Sequence, residues 1–437
     1  MFTKITPTKH TLLLSIVLIS GNISDSNAQK VNLDGSFPSC RASEDMIFGS
    51  KGWIYEYWEW NSAFEFTTAE AILDMDRAFK KRGINLILVP VPNRTVKYAN
   101  YVNMSRYYNI KFSSAEYITN WNKMVDQISN LGVNVINILP DIENYKTGIR
   151  GEAFYYPRDH HWTTSGAESS SQTVALAIKK IIKDNSISLK PVLGALKVVK
   201  QGYNSGSFGD HYNDKCKNKP PNMNAYQATN TIPKSGLLEN IKPELGVFGD
   251  SFGLSSPDNN FSTFIEHYSG LRTVNYSNPG IGQFGSLVGY LADPKISKDL
   301  PPFIVVPTLS WLPNDPIIYR QITAEVKGCT HKSQDAATIF KSNTTTYNYA
   351  PSTATQSAWN SIHIGLNLDA KQVNIEVRYD DESTEKLTLI RNSNDYYKGD
   401  LRNFYITLSK NKKIKSADIS IDKFKKFSGT IEVCNLI

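Results

Sequence analysis

Leu245-Gly246-Val247-Phe248-Gly249-Asp250-Ser251-Phe252-Gly253 decides the fold. Four residues from Leu245 to Phe248 form a short apolar run, as a strand buried on both faces does. The run stops at a Gly-Asp-Ser turn, and open parallel sheets place working groups at the carboxyl ends of their strands. A serine at that point, followed by Gly253, stands exposed at the top of the sheet, where its own N–H can serve as an oxyanion donor.

Working outward, the same kind of run recurs at Asn85–Val91, Asn134–Leu139, Arg272–Tyr276 and Phe303–Val306. Helical stretches lie between them. Ala69–Lys81 stops at Gly83, Ser114–Leu131 precedes the second strand, and Thr164–Lys183 opens on Thr/Ser and closes on lysines, which suits the helix dipole. Alternating strands and helices from Ile47 to Pro316 imply an α/β/α domain around a mostly parallel sheet. After Cys329 the pattern changes. Val373–Tyr379, Lys386–Ile390, Phe404–Leu408, Ala417–Ile421 and Thr430–Cys434 alternate apolar and polar residues, which predicts a small antiparallel β-sandwich. Two polar stretches, Gln201–Lys234 and Ser333–Ser357, read as a surface insertion and a linker. The expected division is a signal peptide over 1–28, a catalytic domain over 29–328 and a sandwich over 329–437.

The chain has 437 residues, 40% hydrophobic and 20% charged, ample for two or three packed domains and too apolar for a disordered chain. The first 28 residues carry Lys4 and Lys9, a short apolar stretch Thr11–Ser20 and a Ser26-Asn27-Ala28 site, the pattern of a cleaved export signal. The formal charge of +7 suits an anionic polymer or a membrane face, but no basic cluster or motif argues for nucleic acid. The lysines at 410, 412, 413 and 415 sit between predicted strands and read as a solvated loop. The four cysteines, Cys40, Cys216, Cys329 and Cys434, form no CxxC pair, so zinc is not expected, and export favours disulfides. Of three possible connectivities, Cys40–Cys216 with Cys329–Cys434 is preferred, the second pair closing the sandwich like a clasp.

A serine nucleophile needs a base, and the base needs an orienter. Arg158-Asp159-His160-His161-Trp162-Thr163 stands just before the helix at Thr164. A carboxylate two residues before a histidine in a turn can hold Nδ1 and leave Nε2 free for the serine proton. Asp159 with His161 is therefore preferred, His160 is the competitor, and Trp162 is placed to fix the turn. A metal at Asp159, His160 and His161 is not expected, because no third ligand motif is visible.

Gly249-Asp250-Ser251-Phe252 together with Asp159-x-His161-Trp162 resembles the AlgX/AlgJ-like alginate O-acetyltransferase family, with its permuted SGNH hydrolase-like domain. Phe48–Tyr55, containing Gly-x-x-Gly-Trp, and Val89-Pro90-Val91-Pro92-Asn93-Arg94 resemble further landmarks of that family. The resemblance implies a Ser251/His161/Asp159 triad, an acetyl-serine intermediate, no cofactor, and a periplasmic location. It implies a C-terminal carbohydrate-binding module closed by a disulfide. It implies an exopolysaccharide, anionic or neutral, as acceptor, a membrane-bound partner as acetyl supplier, and export-complex proteins as neighbours. Candidate oxyanion residues are Asn278, Gly280 and Gly282, in the turn after Arg272–Tyr276. Candidate sugar contacts are Arg94, Arg272 and Tyr290 in the first domain and Trp359, Tyr379, Tyr396 and Tyr397 in the second. An esterase with the same triad and a non-catalytic polymer-binding scaffold are the alternatives.

Overall fold

The computed structural model describes residues 46–102, 110–148, 150–189, 194–204, 206–208, 223–231, 242–254, 260–293, 299–328, 338–342, 346–350, 361–391, 400–409, 412–421 and 426–434. Five strands form a wholly parallel sheet in the spatial order Asn134–Val135, Asn85–Val91, Phe303–Leu309, Leu245–Val247, Thr273–Asn275. The chain starts one strand in from an edge, at Asn85–Val91, and steps to that edge. It then builds the other side, and the last strand fills the gap between the two halves. Such a reversal opens a crevice at the carboxyl ends of the strands. Leu86–Val89 and Phe303–Val306 are wholly buried, because helices cover them. Ala69–Lys81 packs on Pro316–Lys327, and Thr164–Asp184 packs on Phe261–Ser269.

Three expectations needed revision. The run Asn134–Leu139 is a strand for only two residues, since Leu139-Pro140 already opens the helix Leu139–Asn144. Proline is favoured in a first helical turn, where no N–H is needed. The polar insertion is a built element: Ala195–Asn204 pairs antiparallel with Met223–Thr231 and rests against the Phe261–Ser269 helix. The presumed linker contributes strands Thr338–Ser342 and Thr346–Tyr349 to the second domain.

That domain is two four-stranded antiparallel sheets. One has the order Thr338–Ser342, Phe427–Cys434, Ser361–Leu366, Asn403–Thr407. The other has Thr346–Tyr349, Ile414–Ile421, Gln372–Tyr379, Thr384–Ile390. Val373, Ile375, Val377 and Tyr379 alternate inward and help form a core separate from that of the first domain. The expected disulfides of Cys40, Cys216, Cys329 and Cys434, and the aromatics Trp359, Tyr396 and Tyr397, lie outside the described residues and side chains.

The helix Pro316–Lys327 joins the domains. Arg320 donates to the Thr407 carbonyl and to Glu385 Oε1 (2.7 Å), and Arg391 donates to Gln321 Oε1 (2.7 Å), Glu325 Oε1 (2.6 Å) and the Asn403 carbonyl (2.9 Å). Burial pushes the Glu325 carboxyl from 4.5 up to about 8, against the pull of Arg391. A carboxyl raised on folding stabilises the fold below its unfolded pKa, and that contribution is lost as pH rises towards the folded value. Melting temperature should therefore fall as pH rises from about 5 to about 8, and Glu325→Gln should flatten the slope. Arg391→Met takes away the charge that pulls this carboxyl down, so it should cost about 1–3 kcal/mol in lost buried hydrogen bonds and carry the fall in melting temperature to pH above 8. Thermal melts across pH check both outcomes.

Candidate active site

Two turns meet at the carboxyl end of the sheet. The first follows Leu245–Val247. Asp250 caps the single 3-10 turn Ser251–Gly253, its carboxylate accepting from the Phe252 N–H (3.0 Å). Burial pushes the Asp250 carboxyl up, partly offset by that hydrogen bond. Gly253 is dictated by a close approach: a Cβ there would stand 2.1 Å from Ser277 Oγ.

The second turn is the tip of a tight hairpin. Tyr155 and Trp162 pair across it, the Tyr156 N–H donates to the His161 carbonyl (3.1 Å), and the Thr163 N–H donates to the Phe154 carbonyl (2.9 Å). Thr163 then caps the next helix by accepting from the Gly166 N–H (3.1 Å). Trp162 is wholly buried, stacked on Phe261 (4.9 Å) and edge-on to Phe252 (5.2 Å), which locks the hairpin beside the serine turn.

Asp159 Oδ1 accepts from the backbone N–H of His161 (2.9 Å) and lies 2.5 Å from His161 Nδ1. The two-residue spacing is thus an Asx-type turn in which one oxygen holds both the backbone and the ring. His161 Nε2 lies 2.5 Å from Ser251 Oγ. Burial alone would raise the Asp159 carboxyl, but the charge and hydrogen bonds of His161 overcome it and hold the group well below the usual carboxylate range. His160 points elsewhere. Its ring packs against His161 (4.1 Å), Phe208 (5.9 Å), Phe252 (6.0 Å) and Trp58 (6.3 Å). Burial, then the neighbouring charge of His161, lowers its pKa to about 3, so it stays neutral. Ligand atoms of Asp159, His160 and His161 lie within 4.8 Å of one another, and among the described residues no fourth His, Cys, Asp or Glu joins them. The Asp159 carboxylate is already engaged by His161 and Ser207. The arrangement is that of a hydroxyl nucleophile, an imidazole base and a carboxylate orienter, able to run acyl transfer.

Sequence reasoning missed part of this site. The Ser207 N–H donates to Asp159 Oδ2 (2.7 Å), and the Phe208 N–H donates to the Arg158 carbonyl (3.2 Å). Both come from the insertion read as plain surface. Its one visible signal is Gly206, which has φ +83° and sits so close that a Cβ would meet the Arg158 carbonyl at 2.2 Å.

The predicted binding residues divide. The turn carrying Asn278, Gly280 and Gly282 borders the serine turn: the Asn278 N–H donates to the Gly249 carbonyl (3.0 Å), and both glycines have positive φ. Three of the others, Arg94, Arg272 and Tyr379, need correction as sugar contacts. Arg94 is 1% exposed, and its guanidinium is engaged by Glu59 and three carbonyls. Arg272 precedes its strand, with its carbonyl accepting from the Leu245 N–H, and so lies at the end of the sheet opposite Ser251. Tyr290 is half-buried, packed against the rings of Phe248 (5.2 Å) and Tyr276 (4.8 Å), which does not contradict its part as a sugar contact. Tyr379 is 1% exposed, an inward residue of the sandwich core with its hydroxyl on Glu385.

A family profile described as "SGNH hydrolase-like domain, acetyltransferase AlgX" matches residues 46–306. The chain is 27% identical over 256 residues to the alginate biosynthesis protein AlgX of Pseudomonas putida, covering 55% of this chain and 51% of that protein. It is 29% identical over 236 residues to the protein of the same description in Azotobacter vinelandii, covering 52% and 46%. The chain thus matches about half the length of these curated relatives. The structure of Pseudomonas aeruginosa AlgX shares the fold, with a TM-score of 0.72 at 16% identity, covering 89% of this chain and 94% of that one.

Gly206→Ala should force the 206–208 segment away from Arg158 and loosen the grip on Asp159. A displacement near 1 Å at a nucleophile–base pair can cost about 100-fold in rate. Fluorophosphonate labelling of Ser251 should slow by about that factor, with near-normal thermal stability.

Proposed function

The chain belongs to the SGNH hydrolase-like family of the acetyltransferase AlgX, and from that premise we propose that it is an exopolysaccharide O-acetyltransferase acting on an alginate-like polymer. The single observation that carries the reading is the continuous contact from Asp159 Oδ1 to His161 Nδ1 and from His161 Nε2 to Ser251 Oγ, each 2.5 Å.

In the first half-reaction His161 Nε2 takes the Ser251 proton as Oγ attacks the acetyl carbonyl carbon of the donor. On this reading the oxyanion falls to the Ser251 N–H and to a donor from the turn that carries Gly280 and Gly282. Collapse of the tetrahedral intermediate breaks the bond to the donor, whose leaving group takes the proton from Nε2. In the second half, a sugar hydroxyl attacks the acetyl-serine and gives its proton to Nε2. The ester forms on the sugar, and the proton returns to Ser251 Oγ. Asp159 keeps the ring in the Nδ1–H tautomer and stabilises the imidazolium formed in each half.

Export to the periplasm is part of the same proposal and rests on the basic, apolar and small-residue pattern of residues 1–28. There the acetyl donor comes from a membrane-bound partner, and the sandwich domain raises the local concentration of polymer.

Acetyl release from p-nitrophenyl acetate, with and without mannuronate oligomers, tests the reading. Wild type should release faster with oligomer and leave acetyl esters on it. Ser251→Ala should lower both by at least about 1,000-fold. Release that ignores the oligomer, with no ester formed on it, would make the protein an esterase; no Ser251-dependent turnover would leave only a binding role.

A further inference from the structure

Beneath the catalytic hairpin lies a fully buried ion pair that acyl transfer does not itself use. Arg94 Nε donates to Glu59 Oε2 (2.8 Å), and Nη2 donates to Glu59 Oε1 (2.7 Å), a two-pronged contact with both side chains 1% exposed. The remaining donors tie three segments together. Nη2 reaches the Ile54 carbonyl (2.7 Å), and Nη1 reaches the carbonyls of Tyr156 (2.7 Å) and Pro157 (3.3 Å). Those last two carbonyls immediately precede Arg158-Asp159-His160-His161. The guanidinium also lies 4.7 Å from the ring centre of Tyr55 and 5.5 Å from that of Phe208, next to the Ser207 that holds Asp159.

We infer that Arg94 and Glu59 are positioning residues of the triad, which fix the hairpin bearing Asp159 and His161 and cancel each other's charge beneath it. The inference rests on the triad reading above. Elsewhere a buried ion pair of this kind is poor evidence of stability, since a hydrophobic pair of similar volume often does as well. Here the arginine is spent on carbonyls of the one turn whose placement decides the distance to Ser251, and an apolar side chain offers those carbonyls no donor. Burial works against the charge of Arg94, but Glu59 and, further off, Asp159 hold it firmly protonated.

The charge balance has a direction that can be read. The charged and titratable groups coupled to His161 are Asp159 and His160 on its own turn and Asp250 on the serine turn, and the charge of Arg94 reaches both Asp159 and His160 beside it. Those facing Arg94 are Glu59, Tyr55 and Asp159. Glu59→Gln keeps the shape but leaves a lone cation under the turn, which disfavours the imidazolium. Arg94→Met leaves a lone carboxylate, which favours it. Labelling of Ser251 requires neutral His161, so its rate climbs with pH through an acid limb.

The test is the rate of Ser251 labelling by a fluorophosphonate against pH, for full-length wild type, the two single variants, the double variant and Arg94→Lys. The midpoint of the limb should move down by about half a pH unit or more in Glu59→Gln and up by a similar amount in Arg94→Met. It should return near wild type in the double variant, which carries no stranded charge. Arg94→Lys should keep the midpoint and lose rate, because an ammonium cannot span the fork and the carbonyls together. A shared wild-type midpoint in Glu59→Gln and in the double variant, whatever their melting temperatures, overturns the inference. Failure of wild type to label at any pH overturns the triad reading, and the inference with it.

Discussion

The site hangs on one carboxylate. Asp159 accepts from the His161 backbone and lies against the His161 ring through one oxygen, and it accepts from the Ser207 N–H through the other. A buried carboxylate is costly unless charge and hydrogen bonds compensate it. The folding of three separate segments is thereby made to agree at one point. The hairpin supplies the carboxylate and the base, the helix that Thr163 caps anchors the hairpin, and Ser207, just beyond the inserted strand Ala195–Asn204, supplies the third contact. Arg94 and Glu59 complete the arrangement from below.

The parallel sheet supplies the rest of the geometry. Ser251 stands at the carboxyl end of Leu245–Val247, and the Asn278–Gly282 turn follows the neighbouring strand Thr273–Asn275, so both reach the same crevice. The sandwich is fastened to this domain through the helix Pro316–Lys327, by Arg320 on one side and by Arg391 with Glu325 on the other. The connection is polar and buried, so the relative placement of the domains depends on specific contacts as well as on apolar area.

What was legible in the sequence follows from what is local. Apolar runs bounded by turn residues gave the strands Asn85–Val91 and Leu245–Val247, and Ala69–Lys81 matched its helix to the residue, because period and caps are written in consecutive positions. The Asp159–His161 contact was legible for the same reason, since an Asx turn needs only its own two-residue spacing. Ser207 was not, because its part is a backbone N–H that any residue carries, and only the topology of the insertion brings it there. Arg94 was misjudged for the opposite reason. An arginine near a strand end looks like a ligand for an anionic sugar until Glu59, thirty-five residues away in sequence, is seen to occupy it. Tyr379 failed likewise: strand alternation left open which face would be buried, and the second sheet decided it.

The most direct measurement of the central claim is the mass of the protein quenched during turnover with an acetyl donor, followed by mapping of the modified peptide. The account predicts one acetyl group on Ser251, absent in Ser251→Ala and in His161→Ala, and discharged faster by a mannuronate oligomer than by water. An acetyl group on another residue, or an unmodified Ser251 while acetyl esters accumulate on the oligomer, would contradict it.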